Sequence, residues 1–295
     1  MKQDEITIAT GVNCSQTALF EPNDKMTDYE TSANLSYMDL LSVYRGLNTV
    51  SEFYDVNAAI SVTAVGICAA ALGQTAEDAI KAIIDADPID YMASTTVLSK
   101  EVDSDIAKLL KEAHLIVAPS FTKNAKEYLD RHEVRYVTIK TPLKDYKKYL
   151  SNETKITPLG TLTQAPNLSE LSKDSFKVVT KTKPTTEQVE DAVFAWKVAK
   201  HANSHAIVIA KDLKTTAIAQ GLQSAMIEYA LDYSCEKSKD AILASDSGLT
   251  LHDINAAAQG RIALIIVPFA SKEMIAAADK YNIALITTGF TNILL

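Results

Sequence analysis

The chain is short of most features that announce a function at once. It has three cysteines in 295 residues, Cys14, Cys68 and Cys235. A disulfide scaffold shows an even count at short spacing and a zinc site shows CxxC pairs. The thiols therefore read as reduced, in a cytoplasmic protein without zinc or another metal. Arginine is scarce, with four of the 29 basic residues: Arg45, Arg131, Arg135 and Arg261. The planar guanidinium is the favoured clamp for phosphate or carboxylate, so few such clamps are on offer. The formal charge of −8 argues against nucleic acid or an anionic membrane surface as a partner. No apolar run approaches the ~20 residues that span a bilayer, and the first ten residues lack a signal-peptide pattern. Neither a GxSxG elbow nor the H/C-x-E and PCxxC pair of zinc deaminases occurs, which removes the sequence basis for either chemistry.

What is present is an ordinary globular composition, 47% hydrophobic and 22% charged, arranged as alternating strand-like and helical segments. Ala58 to Val65 and Leu115 to Val117 read as buried strands. Tyr37 to Tyr54 carries apolar residues at helical spacing, and Thr75 to Ile84 reads as a helix with Thr75 as its N-cap. The small apolar run Gly66 to Ala70 reads as a strand-to-helix turn, which accounts for Cys68 without a nucleophile. In the second half, helices are expected over Thr185 to Lys200, Gly221 to Leu231, Leu251 to Gln259 and Lys272 to Lys280. Strands are expected over Ala206 to Ala210, Ala241 to Ala244, Ile262 to Val267 and Ile283 to Thr287. This is an α/β pattern with strands between helix layers. Lys140 to Asp174 is poor in apolar runs and reads as a connection, dividing the chain into residues 1–170 and 171–295.

Several collinear stretches carry a resemblance. Val178 to Ala210 reads VVTKTKPTTEQVEDAVFAWKVAKHANSHAIVIA. Beside it stand GVNCSQ near the start, LSYMDLLSVYRGLNTVSEF, DADPIDYMASTTVLSKEVD, LIVAPSFTKNA, LASD at Leu243 to Asp246, and AADKYNIALITTG at Ala277 to Gly289. Together they resemble the AICAR transformylase family, which formylates an aminoimidazole carboxamide ribonucleotide from 10-formyltetrahydrofolate. The resemblance implies two tandem cytidine-deaminase-like α/β/α subdomains and a homodimer with active sites across the subunit contact. It also implies a nucleotide and a folate as ligands, with 10-formyltetrahydrofolate as co-substrate. The chain starts where the transformylase part starts, so no IMP cyclohydrolase domain is expected.

Formyl transfer to a weakly nucleophilic amine needs a proton acceptor, a donor for the leaving nitrogen and a stabiliser for the tetrahedral intermediate. The family supplies the centre of this with a Lys-His pair in KHxNPCG, which aligns with Thr63-Ala64-Val65-Gly66-Ile67-Cys68. Neither Thr63 nor Ala64 can replace that pair, and losing a general acid/base costs roughly 10²–10⁴-fold in rate. Ala9-Thr10 stand for the family Arg-Tyr, and His205 stands for the asparagine of KSNAIV. Ala225 stands for the arginine of GAGQMSRV. Ser247 to Leu251 stand for AFFPF, and Thr291 to Leu295 for RHFRH.

Some candidates remain. His205 could still donate a hydrogen bond to a carboxamide and titrate near neutrality. Asp253 aligns with a folate-contacting aspartate, although an acid at a helix N-terminus is favoured without any ligand. Asn13, Gln16 and Ser224 align with substrate-binding positions, although turn and capping roles account for all three. Lys200-His201 resembles a non-catalytic Lys-His, read as a helix C-terminal pair facing the dipole. Three functions stay open: a non-catalytic or strongly altered family member, an active formyltransferase using relocated residues such as Lys200, His201 or His205, and an interaction subunit that pairs with an intact paralogue.

Overall fold

In the computed structural model, residues 7–10, 17–20, 28–171, 175–221 and 225–294 are described. Their elements fall into two runs of the same order. The first is β3 (Tyr29–Thr31), α1 (Tyr37–Val50), β4 (Asn57–Thr63), β5 (Gly66–Gly73), α2 (Ala76–Ala86), β6 (Thr95–Leu98), α3 (Ser104–Leu109), β7 (Leu115–Ala118), α4 (Lys123–Arg131) and β8 (Arg135–Ile139). The second is β11 (Lys177–Val178), α5 (Thr186–Ala199), β12 (Ile207–Lys211), β13 (Lys214–Ala219), α6 (Met226–Ser234), β14 (Ile242–Ser245), α7 (Leu251–Gln259), β15 (Leu264–Val267), α8 (Lys272–Lys280) and β16 (Ala284–Thr287).

Both runs enter one 12-stranded sheet of order β11-β16-β15-β14-β12-β13-β5-β4-β6-β7-β8-β3. In each, a hairpin is followed by parallel strands, and the runs meet where β13 lies antiparallel to β5 at Lys214 and Ala71. Helices α1 and α5 cover one face over a single core that holds Val43, Leu47, Val117, Trp196, Val208 and Ile266. Helices α2–α4 and α6–α8 cover the other face over two further clusters. Both faces are thus shielded, which is why β7 and β15 (LIVA and LIIV) are buried at every position. The α/β reading holds.

Local chemistry sets the ends of these elements. Thr75, Thr185 and Thr250 each accept from the third helical residue, and that residue's side chain (Asp78, Gln188 or Asp253) accepts from the cap backbone. Each box satisfies two orphan donors of a helix start. Four expectations need correction. Gly66 to Ala70 belongs to strand β5, because the small residues pack closely beneath α2, where a Cβ on Gly73 would sit 2.6 Å from the Thr75 carbonyl oxygen. The first-half strand stops at Thr63, and Ala64-Val65 form the hairpin turn. The connection after Lys140 is not featureless: β9 (Glu153–Thr157) and β10 (Gly160–Gln164) form a separate exposed hairpin. The helix expected from Gly221 starts at Met226, after Ala225 in a left-handed conformation. Near the start, β1 (Thr7–Thr10) pairs with β2 (Thr17–Phe20). No helix among the described residues is long and apolar enough to cross a membrane.

Candidate functional site

The β4–β5 turn holds Thr63 and Ala64 at one end of the sheet, beside the turn that leads from α5 into β12. Thr63 Oγ1 donates to the Gly66 carbonyl at 3.4 Å, and Ala64 is buried. From α1, Arg45 reaches this turn: its Nε donates to the Ala64 carbonyl (2.8 Å) and its Nη1 to Asn203 Oδ1 (2.7 Å). Asn203 in turn donates from Nδ2 to the Val65 carbonyl and from its backbone to Gln220 Oε1 (3.0 Å). Gln220 Nε2 donates to the Ile67 carbonyl (2.9 Å). Gly66 permits this approach, since a Cβ there would lie 2.7 Å from the Gln220 amide. Burial lowers the pKa of Arg45, but an arginine stays protonated at any working pH. The result is a polar clasp between the two runs of the chain. It joins Thr63-Ala64 to the segment of His205 without placing a proton-transfer group at either position.

His205 sits two residues beyond Asn203. Its Nδ1 is 2.7 Å from Ser247 Oγ, and its backbone N–H donates to the Gly221 carbonyl (2.9 Å). Beside it, Ser204 donates from Oγ to Asp246, whose other oxygen accepts from the Ala206 N–H (2.9 Å). Burial raises the Asp246 carboxyl, and these donors oppose that shift. Residues 292–294 lie along the same loop. The Leu294 N–H donates to Ser204 Oγ, and the Ser204 N–H donates to the Leu294 carbonyl, both at 2.9 Å.

The remaining sequence candidates separate. Asp253 is in the α7 capping box, accepting from the Thr250 N–H (2.6 Å) and hydroxyl (2.8 Å). Asn13, Gln16 and Ser224 lie outside the described residues. Lys200-His201 does stand at the α5 C-terminus, and both side chains also meet a carboxylate from the first run. Lys200 Nζ and His201 Nε2 meet Glu52 Oε1 at 2.9 and 3.1 Å, and Lys147 Nζ meets Oε2 at 3.0 Å. The cluster is buried under α1 and α5. Burial alone would raise Glu52, but the His201 hydrogen bond and the Lys200 ammonium outweigh it and hold the carboxyl far below its ordinary range.

Two further clusters stand apart. Cys68, Asp87 and Asp90 bring one ligand atom each within 4.8 Å of one another. Burial and the two carboxylates push the Cys68 thiol up to about 12, so it is no ready thiolate donor. A cleft of about 540 Å³ lies where the chain turns from β12 into β13, bordered by Asp85, Lys211, Lys214, Glu236 and Lys239. Its acids and lysines balance in sign, and it lies at the opposite end of the β12–β13 hairpin from His205.

With this geometry in place, comparison with known proteins is decisive about lineage. A family model described as the AICARFT/IMPCHase bienzyme matches residues 2–231. The chain belongs to that family. It is similar to the bifunctional purine biosynthesis protein PurH of Anoxybacillus flavithermus, at 31% identity over 297 residues, covering 95% of this chain and 57% of the relative. The PurH protein of Caldicellulosiruptor saccharolyticus is 34% identical over 265 residues, covering 87% of this chain and 51% of the relative. The chain spans about half the length of the curated relatives it matches. A solved structure titled as protein ybgI of unknown function has a TM-score of 0.18 at 10% identity, too low to bear on the fold. Membership of the AICARFT/IMPCHase family explains the collinear stretches, and it makes the Thr63-Ala64 turn the place to ask what the site does.

Sequence reasoning missed Arg45, Asn203, Gln220, Ser247 and Glu52. Arg45 had one signal, as the single arginine among the α1 residues. The others are ordinary polar residues whose partners lie 17 to 153 positions away.

Proposed function

We propose that this chain is an AICAR transformylase-lineage protein whose formyl-transfer site is non-catalytic or strongly altered. The observation that carries the reading is the β4–β5 turn. Its Thr63 and Ala64 offer no general acid or base, and the cation that reaches the turn, Arg45, is committed to the Ala64 carbonyl and to Asn203. An arginine cannot take the proton of an attacking amine, so the clasp substitutes structure for the missing chemistry. Relocated catalysis at Lys200 or His201 has little support, because both are held by the buried carboxylate of Glu52.

The same reading takes residues 1–170 and 171–295 as two tandem cytidine-deaminase-like subdomains of a cytoplasmic homodimer. Any ligand retained is a nucleotide of the AICAR kind, with a reduced folate in the Asp253 region and no zinc. The test is a calorimetric titration of the purified chain with AICAR, with and without a reduced folate. Micromolar affinity would mean that the nucleotide pocket survives with altered chemistry, no binding at millimolar ligand would leave the fold as a scaffold, and formyl transfer at family rates would contradict the reading.

A second reading, that the chain pairs with an intact paralogue, is favoured by the β9–β10 hairpin. An isolated hairpin is marginal in water, yet this one exposes Ile156, Leu159 and Leu162. Co-purification with a full-length enzyme from the native cell would support it, and recovery of homodimers alone would count against it.

A further inference from the structure

Two positions at which this chain departs from the family strings touch each other. By the family resemblance, His205 stands where asparagine is expected and Ser247 where the alanine of AFFPF is. His205 Nδ1 and Ser247 Oγ are 2.7 Å apart. Asparagine and alanine could not make this contact between a hydroxyl and an imidazole, which is the arrangement of a serine nucleophile with its base.

The surroundings fit that chemistry. Ser247 lies in the loop between strand β14 and helix α7, just before the Thr250 N-cap. Among the described residues, the backbone N–H groups of Gly248 and Leu249 donate to nothing. An amide directly after the nucleophile is well placed as an oxyanion donor, and the second lies one residue on. The neighbouring Asp246 carboxylate is fixed by the Ser204 hydroxyl and the Ala206 N–H, and Ser247 and His205 both act on it. Ser247 is 7% exposed, so an incoming group must be small. Beside it, a Cβ on Gly248 would lie 3.0 Å from the ring of Phe269, itself 59% exposed, so the way in passes along that ring.

We propose that Ser247 and His205 form a nucleophile–base dyad that accepts a small acyl group from an activated donor, an ester or thioester. The proposal rests on the reading that the ancestral formyl-transfer site has been altered. Ser247 Oγ attacks the acyl carbonyl carbon and its proton passes to His205 Nδ1, while the oxyanion faces the Gly248 and Leu249 amides. The bond from the acyl carbon to the leaving oxygen or sulfur then breaks, and the leaving group takes the proton from the imidazolium. An acyl ester remains on Ser247. Water hydrolyses it with the same imidazole as base.

The test treats the full chain with p-nitrophenyl acetate, following p-nitrophenolate release and the mass of intact protein and peptides. The expected result is a burst of about one equivalent, with one acetyl group on the peptide that contains Ser247. Ser247→Ala removes both. Ser247→Cys restores acylation as a thioester, and His205→Gln slows it roughly 10²–10⁴-fold with the circular dichroism unchanged. No acetyl group on Ser247 in the wild type, or equal labelling of Ser247→Ala, overturns the dyad. If formyl transfer is absent as well, the altered-site reading survives that failure. Formyl transfer at family rates overturns both.

Discussion

Glu52 and Lys200 meet at 2.9 Å with both side chains 4% exposed, and they come from opposite runs of the chain. Lys200 caps α5 at its C-terminus, and Glu52 follows α1 in a short 3₁₀ turn. Lys200 Nζ also donates to the Ser169 carbonyl (2.7 Å), and Lys197 Nζ donates to the Glu52 carbonyl (3.0 Å). The Glu52 carboxylate and the Lys200 ammonium together tie the end of α1, α5 and the segment before β11. The rings of Phe53 and Phe194, 5.6 Å apart, pack in the same core.

Glu52→Gln is expected to destabilise the fold by about 3–5 kcal/mol, because it strands a buried ammonium without its counter-charge. Urea denaturation should show a lower midpoint with an unchanged slope. Lys81→Ala, which removes an exposed pair with Glu77, should leave the midpoint where it was. Equal effects from the two substitutions would contradict the role given to Glu52.

Acidification should erode stability in two stages. Burial depresses the His201 imidazole, so the unfolded chain gains its proton first, below roughly pH 6.5. Burial would raise Asp39, but Arg135, Ser36 and His114 outweigh it and hold the carboxyl at about 2; Glu52 is shifted the same way. Carboxyls with depressed folded pKa values contribute stability that is fully present above roughly pH 4 and is lost as pH falls through the folded values. Denaturation midpoints across this range should fall in both stages. His201→Gln should flatten the upper stage, and Asp39→Asn the lower. A midpoint independent of pH between about 7 and 4 would contradict the His201 stage, and one independent of pH between about 4 and 2 the carboxyl stage.

The capping threonines Thr75, Thr185 and Thr250 were legible, because a capping box is written within four residues. The buried strands LIVA and LIIV were legible for a similar reason. Strand β5 was not, since GICAAALG is too small and too uniform to show a period. Each strand of the β9–β10 hairpin holds one large apolar residue, Ile156 or Leu162, among polar ones, so it carries no inward-facing pattern. Lys200-His201 was read from its helix end alone. Its partner Glu52 lies 148 positions away, and no local rule reveals such a pairing. Thr63 and Ala64 could be singled out from the residues themselves, whereas the clasp around them and the His205–Ser247 contact exist only in three dimensions.

Gly46 shows how close the packing beneath α1 is. A Cβ there would lie 2.3 Å from Val97 Cγ2 and 3.1 Å from Val62 Cγ1. Gly46→Ala should therefore destabilise by about 1–3 kcal/mol through overpacking, although alanine is the better helix former. Thermal denaturation checks this, and a stabilised variant would show that β4 and β6 can move away.

Arg45→Ala removes the donor to the Ala64 carbonyl and to Asn203. Two part-buried acceptors lose a charged partner, at a cost of about 1–3 kcal/mol. Amide hydrogen exchange should rise in residues 64–67 and 203–205 and stay unchanged in β15. Unchanged protection at both turns would mean that the clasp does not hold them.

The most direct measurement of the central claim is turnover of AICAR with 10-formyltetrahydrofolate by the purified chain, read as appearance of tetrahydrofolate. With Thr63 and Ala64 in place of the proton-transfer pair, the account predicts no formyl transfer, or a rate reduced by at least about 10²–10⁴-fold against a PurH relative. A rate equal to that relative's would contradict it.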